Sequence, residues 1–220
     1  MVILFDLFNT LVPGGDPERE AVGVAMAADL GVDPHEFNRL WWDTWPQRLS
    51  GVLGDLPATL RTLAARLGGY PGEDGVARAA ARRMAMTQRL LRPDDGTLAV
   101  LDALRGNGYR LGLVSNCTVE TPTVWTRTAL AARLDATAFS CALGFGKPDP
   151  RIYLAACAVL DADPAGCVYV GDGADGELAA AASLGMRTVQ TVQYRTTDPA
   201  WTGERIAALA ELPALNGRRG

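Results

Sequence analysis

This chain has almost no lysine. Lys147, in Gly144-Phe145-Gly146-Lys147-Pro148-Asp149-Pro150, is the only one among 220 residues, and every other basic side chain is an arginine. A compact ammonium and a planar guanidinium are not interchangeable, so a lone lysine marks a place that needs a point charge and raises the question of which anion it meets. A surplus of positive charge is also missing: the formal net charge is -4, which advertises no face for nucleic acid or an anionic membrane. The expected partner is a small molecule, with the chain a monomer or a homodimer. Long apolar runs are absent too. The N-terminal run, residues 1–5, is broken by Asp6 and is too short for a secretory leader or a membrane span, so it reads as a buried strand. Cysteine is sparse and scattered, at 117, 141, 157 and 167 with no CxxC, which predicts free thiols in a cytoplasmic protein. Neither internal repeats nor low-complexity tracts occur.

What is present is ordinary globular material, 48% hydrophobic and 21% charged, enough for one substantial core and a small second domain. Five short apolar runs, at residues 2–5, 110–114, 138–142, 167–170 and 187–192, are continuous rather than alternating, as in parallel strands covered on both faces. Helical stretches at 129–134, 152–160 and 177–184 separate the later runs, the last closed by Gly185. This order predicts an α/β fold: a doubly wound parallel, Rossmann-like sheet. About a hundred residues separate the first two strands, far more than a crossover needs. They read as helices at 17–30, 34–49, 56–67 and 75–91. The expectation is an all-helical cap domain, residues 16–91, inserted into a core of 1–15 and 92–220, with Pro13-Gly14-Gly15 and Arg92-Pro93 as hinges. A last short helix is expected at 206–215, with a frayed end at 216–220.

Functional groups of an open parallel sheet gather at the carboxyl ends of its strands. Four such ends here are polar: Asp6-Leu7-Phe8-Asn9-Thr10, Ser115-Asn116, the segment holding Lys147, and Gly171-Asp172-Gly173-Ala174-Asp175-Gly176-Glu177. Each has an ordinary structural explanation, a cap for Asp6 or a turn for Ser115-Asn116, but four on successive strand ends make a site of carboxylates, one ammonium and one hydroxyl. Residues 171–176 satisfy GxGxxG, yet the aspartates between the glycines would repel a pyrophosphate, and no acid ends the following strand. Gly146-Lys147 is no P-loop, because Pro148 replaces the required Ser or Thr. Asp175 reads as solvated.

In these four segments the whole chain resembles the haloacid dehalogenase superfamily of aspartate-nucleophile hydrolases with a helical cap after the first strand. The resemblance implies Asp6 as nucleophile, Thr10 as the residue orienting it, and Ser115 with Asn116 as contacts to the transferring group. It implies Lys147 as the cation neutralising nucleophile and phosphoryl charge, and Asp172 with Glu177 as the acids of the metal motif. A carboxylate attacks a phosphoryl dianion only if charge is cancelled, and Mg2+ held by Asp6, Asp172 and the Phe8 carbonyl would supply that together with Lys147. The substrate so implied is a small phosphomonoester.

One position departs from the family. Most of its phosphatases have a second aspartate two residues after the nucleophile, protonating the leaving alcohol; here that residue is Phe8, which transfers no proton. The 2-haloacid dehalogenases of the same superfamily have an aromatic residue there and work without metal, so a dehalogenase is one alternative and a catalytically silent binding protein another. The Gly171-Asp172 pair and Glu177 favour the phosphatase. In the cap, Trp41, Trp42 and Trp45 with Arg48 form an aromatic, cationic segment. It reads as bundle core, with Trp45 and Arg48 as candidate substrate contacts should they face the cleft. His35, the only histidine, reads as a surface residue.

Overall fold

The computed structural model describes residues 1–213. Its centre is a sheet of six strands, β1 (Val2–Phe5), β2 (Arg110–Ser115), β3 (Ala136–Phe139), β4 (Cys167–Gly171), β5 (Arg187–Thr191) and β6 (Glu204–Ile206), in the order β3-β2-β1-β4-β5-β6. Every neighbouring pair is parallel. β1 therefore lies between β2 and β4, at the point where the winding reverses and a crevice opens beyond the strand ends.

The continuous apolar strands follow from cover on both faces. Ile3 and Phe5 pack on one side with Leu111, Leu113, Val168 and Val170, against Leu101 and Leu104 of a helix. Val2 and Leu4 pack on the other with Ala136, Ala138 and Tyr169, against Ile152, Ala156, Leu178 and Ala181. The four residues of β1 are all buried, at about 1.5–3 kcal/mol for each large aliphatic side chain.

Six helices stand between β1 and β2: α1 (Asp16–Leu30), α2 (Pro34–Asp43), α3 (Trp45–Leu49), α4 (Leu56–Arg66), α5 (Glu73–Leu90) and α6 (Asp95–Gly106). α1, α2, α4 and α5 share a core of their own, built from Met26, Leu30, Phe37, Trp41, Leu60, Leu63 and Val76 among others. α6 instead covers the sheet. The remaining helices are α7 (Glu120–Trp125), α8 (Ser140–Leu143), α9 (Pro150–Val159) and α10 (Glu177–Ser183). Among the described residues, no helix is long and apolar enough to cross a membrane.

Four details differ from the reading of the sequence. The expected helix 34–49 is two helices parted at Thr44, because Pro46 has no amide hydrogen to continue the ladder and is tolerated only in the first turn of a new helix. The third strand begins at Ala136 and ends at Phe139, and 140–143 is a helical turn, since a short apolar run does not distinguish strand from helix. Residues 129–134 form i,i+3 turns rather than a helix; the helix is α7, in a stretch rich in threonine. The segment beginning at 206 is the end of an edge strand followed by a 3-10 turn, Leu209–Glu211. The expected frayed end, 216–220, lies outside the described residues.

Candidate active site

Asp6 directly continues β1, its amide donating to the Val170 carbonyl at 2.9 Å, and its side chain is buried at 9% exposure. The chain then doubles back. The Leu7 carbonyl accepts from the amides of Leu11 and Val12, while Asn9 takes φ 61, a left-handed conformation that asparagine tolerates. The turn brings Thr10 Oγ1 to 3.0 Å from Asp6 Oδ2, to which it donates.

Lys147 reaches the same carboxylate from the loop after α8. Its ammonium donates to Asp6 Oδ1, to Glu177 Oε2 at 2.5 Å and to the Tyr169 hydroxyl at 3.3 Å. Asn116 fixes the lysine backbone: Oδ1 accepts the Lys147 amide at 2.7 Å and Nδ2 donates to its carbonyl at 2.9 Å. A Cβ at Gly146 would stand 2.4 Å from Asn116 Oδ1, so only glycine permits this clamp. Nδ2 also donates to Asp175 at 2.7 Å, so the polar atoms of Asn116, expected on substrate, are committed within the protein.

At the end of β4, Asp172 is fully buried and accepts from the Ala174 amide at 2.9 Å and the Thr197 hydroxyl at 2.5 Å, with Arg195 Nε 3.5 Å away. Glu177, at the start of α10, accepts from Lys147, from the Tyr169 hydroxyl at 2.7 Å and from the Gly173 amide at 2.9 Å. Gly171 is required by that fold-back, because a Cβ there would lie 2.1 Å from Glu177 Oε1.

Oxygens of Asp6, Asp172 and Glu177 lie within 4.8 Å of one another. Burial raises the Asp6 pKa, with the Asp172 charge adding to it and Lys147 opposing it. Burial likewise pushes Glu177 up to about 7, against the pull of Lys147. For Lys147 burial alone would lower the value, but Asp6 and Glu177 outweigh it and keep the ammonium charged. Three buried acids thus share the Lys147 ammonium, at Asp6 and Glu177, and the partly exposed Arg195 guanidinium, at Asp172. An all-oxygen, electron-rich cluster short of positive charge fits a hard divalent cation. Ser115 closes β2; its hydroxyl is fully buried without a hydrogen-bond partner, and the residue is not part of the cleft wall, which Asn116 and Cys117 form instead.

Asp6 and Lys147 open into a cleft of about 160 Å³, lined also by Phe8, Arg19, Trp45 and Arg83. Phe8 faces the cleft, its ring centre 4.5 Å from the guanidinium carbon of Arg19. Trp41 is core, stacked near Phe37, whereas Trp45 lines the cleft and Trp42 is 54% exposed at its margin. Arg48 is buried behind the tryptophans rather than projecting into the main cleft. Asp175, read as solvated, is exposed but also lines the cleft. The His35 side chain is 87% exposed and is not part of the cleft.

Sequence reasoning missed Arg19, Arg83, Tyr169, Thr197 and Arg195. One of them carried a signal. Arg83 lies on the stripe Val76, Ala79, Arg83, Met86 and Leu90 that α5 buries, and a charge in an apolar stripe requires a partner.

A model of the haloacid dehalogenase-like hydrolases matches residues 1–185. The chain belongs to that family. Among haloacid dehalogenase-like relatives, a glyceraldehyde 3-phosphate phosphatase from Methanopyrus kandleri is 27% identical over 197 residues, covering 86% of this chain and 82% of that protein. A 2-haloacid dehalogenase from Pseudomonas syringae pv. Tomato DC3000 has the same fold, with a TM-score of 0.74 at 22% identity over 100% of this chain and 99% of that one. A family enzyme from Bacteroides thetaiotaomicron, solved with magnesium and inorganic phosphate, matches with a TM-score of 0.64 at 17% identity, over 92% of this chain and 97% of that one.

Proposed function

We propose that the protein is a magnesium-dependent phosphatase of small phosphorylated metabolites, with Asp6 as nucleophile and residues 16–91 as a cap over a core of 1–15 and 92–220. The observation that carries this reading is the cluster of Asp6, Asp172 and Glu177 around the single ammonium of Lys147. A dehalogenase working without metal has no use for the additional buried charge of Asp172, whereas a divalent cation and a phosphoryl group together do. The match to a glyceraldehyde 3-phosphate phosphatase supports the same substrate class.

Asp6, Asp172 and the Phe8 carbonyl would hold Mg2+, whose chemistry when bound is to cancel phosphoryl charge. Glu177, placed in that group by its motif, contributes charge while its oxygens anchor Lys147 and accept from Tyr169 and Gly173. Thr10 holds the Asp6 carboxylate for attack, and Ser115, assigned to the transferring group by its motif, keeps its hydroxyl free of partners within the protein. An oxygen of Asp6 bonds to phosphorus as the ester oxygen departs, and water then cleaves the aspartyl phosphate. Phe8 gives the departing oxygen no proton, so substrates whose leaving group is already a weak base are favoured.

The aromatic ring of Phe8 also favours a second reading, a 2-haloacid dehalogenase, because halide leaves without a proton. A panel of phosphomonoesters and 2-haloacids assayed with magnesium and with chelator decides between them. Phosphate release that chelator abolishes is the expected result. Halide release indifferent to chelator overturns the phosphatase, and neither release leaves the binding-protein reading.

A further inference from the structure

Three arginines from three helices meet on the insert's side of the cleft, with one acid among them. Arg48 on α3 places its guanidinium carbon 4.0 Å from the Trp41 ring centre, and Arg83 on α5 lies 4.9 Å from the same ring. Arg19 on α1 covers Phe8 and donates Nε to the Gly14 carbonyl at 2.7 Å. Arg19 and Arg83 line the cleft with Asp6 and Lys147. Arg48 borders a small adjoining cavity whose walls include Arg19, Trp42, Trp45 and Arg83.

The charge of this group is not balanced within the described residues. Glu120, 2% exposed, accepts from Arg83 Nε at 2.6 Å and is the one carboxylate paired inside the cluster. Glu18 and Asp16, the other acids acting on Arg19, are engaged by Arg89 at 2.6 Å and Arg195 at 3.1 Å. Arg48 is 4% exposed and spends Nη2 on the Trp41 carbonyl, while its Nε and Nη1 are buried with no hydrogen-bond partner. Burial and mutual repulsion lower the Arg19 pKa to about 10 and the Arg48 pKa to about 9, so both remain charged at neutral pH. Buried donors and buried like charges are each costly unless an anion answers them. Guanidinium groups are the donors that best fit a carboxylate or a phosphate.

We infer that Arg19, Arg48 and Arg83 form a subsite for a second anionic group on the substrate, so that the ligand carries a carboxylate or phosphate besides the phosphoryl group presented to Asp6. The inference rests on the phosphatase reading and narrows it. Glyceraldehyde 3-phosphate, which the Methanopyrus relative is named for, has only an aldehyde and a hydroxyl at its other end and would leave this subsite unanswered.

The test uses paired probes of one size: 2-phosphoglycolate against 2-hydroxyethyl phosphate, with ethylene glycol bisphosphate as a third. The full-length protein should hydrolyse one of the two probes that carry a second anionic group with a kcat/KM at least about tenfold above that for 2-hydroxyethyl phosphate, a factor typical of one charge-assisted bond. Which of the two is preferred tells carboxylate from phosphate. Arg19→Gln and Arg48→Met should each bring the ratio close to one. Arg48→Met keeps the buried stem and removes an uncompensated charge, so it should fold even if Arg19→Gln does not. Calorimetric binding of the same probes to Asp6→Asn gives a readout free of turnover. A tenfold binding preference there, with no release of phosphate by the wild type from these probes or from an aryl phosphate with magnesium present, would keep the subsite and overturn the phosphatase. Equal binding and equal turnover of the probes with and without a second anionic group, or a preference untouched by both arginine variants, would overturn the subsite.

Discussion

Lys147 and Glu177 form a closed ion pair, with Nζ 2.5 Å from Oε2 and side-chain exposures of 2% and 0%. From the sequence alone, Lys147 reads as a cleft residue whose loss would cost activity and little stability. Its burial changes that expectation. Lys147→Met should abolish turnover and also destabilise the fold by about 3 kcal/mol, since removing one partner strands the other charges, here Asp6 and Glu177. Uptake of a proton by Glu177, whose pKa is already about 7, holds the loss near that value. Denaturant titration measures it. Lys147→Arg should restore little activity, because a planar fork cannot converge on two carboxylates and a phenol from the place of one ammonium. Unchanged activity in Lys147→Met would remove Lys147 from the chemistry.

Magnesium should bind wild type and be lost in Asp172→Ala. Glu177→Gln should weaken binding less, because the Glu177 oxygens already accept from Lys147, Tyr169 and Gly173. Calorimetric titration of the three proteins separates the roles. Equal weak binding in wild type and Asp172→Ala would dismiss the metal site, and a larger loss in Glu177→Gln than in Asp172→Ala would make Glu177 a ligand.

The buried pair Arg83–Glu120 should make stability depend on acid. Burial alone would raise the Glu120 pKa, but the charge of Arg83 and the hydrogen bonds from Thr118 and Arg83 bring it below its ordinary value of 4.5. A depressed folded-state pKa contributes stability that is fully present above the unfolded value and is lost as pH falls through the folded one. The difference in thermal midpoint between wild type and Arg83→Met/Glu120→Gln should therefore be constant from pH 7 to about 5 and shift against the wild type below about pH 4.5. A difference independent of pH down to 3 would show that Glu120 is not held ionised by Arg83.

The sheet and the strand-end groups were legible because burial on both faces writes β1, β2 and β4 as nearly continuous apolar runs, each leading into a polar residue, whereas β5, Arg187-Thr188-Val189-Gln190-Thr191, is marked only by its β-branched residues. β6 was not legible: Glu204-Arg205-Ile206 is a three-residue edge strand with one buried side chain, so its sequence carries no apolar run. Asp6, Thr10, Lys147 and Glu177 came together as their places on the sheet implied. The arginine cluster could not be assembled in the same way. Arg19, Arg48, Arg83 and Glu120 are joined by helix packing across a hundred residues, and no spacing rule relates positions on four different helices.

Phe8 is the position at which the two readings of the site part, and Arg19 decides what replacing it can achieve. If leaving groups depart without a proton, turnover of aryl and alkyl phosphates should fall steeply as leaving-group pKa rises. Phe8→Asp should flatten that dependence by donating the proton, a contribution typically of about 10²–10⁴-fold for a well-placed acid. The guanidinium 4.5 Å from the Phe8 ring works against this, because a neighbouring cation holds a carboxyl ionised and an ionised carboxyl is no acid. Phe8→Asp alone should therefore gain on alkyl phosphates by only about tenfold, below that range, once the lost ring packing is also counted. Phe8→Asp/Arg19→Gln should gain more on phosphomonoesters without a second charge, since the carboxyl then holds its proton more tightly. The measurement is a series of leaving-group pKa values on wild type, both single variants and the double variant. Equal, shallow slopes in all four would show that another residue already supplies the proton, with Asp175, which lines the cleft and accepts from Asn116, the first to replace.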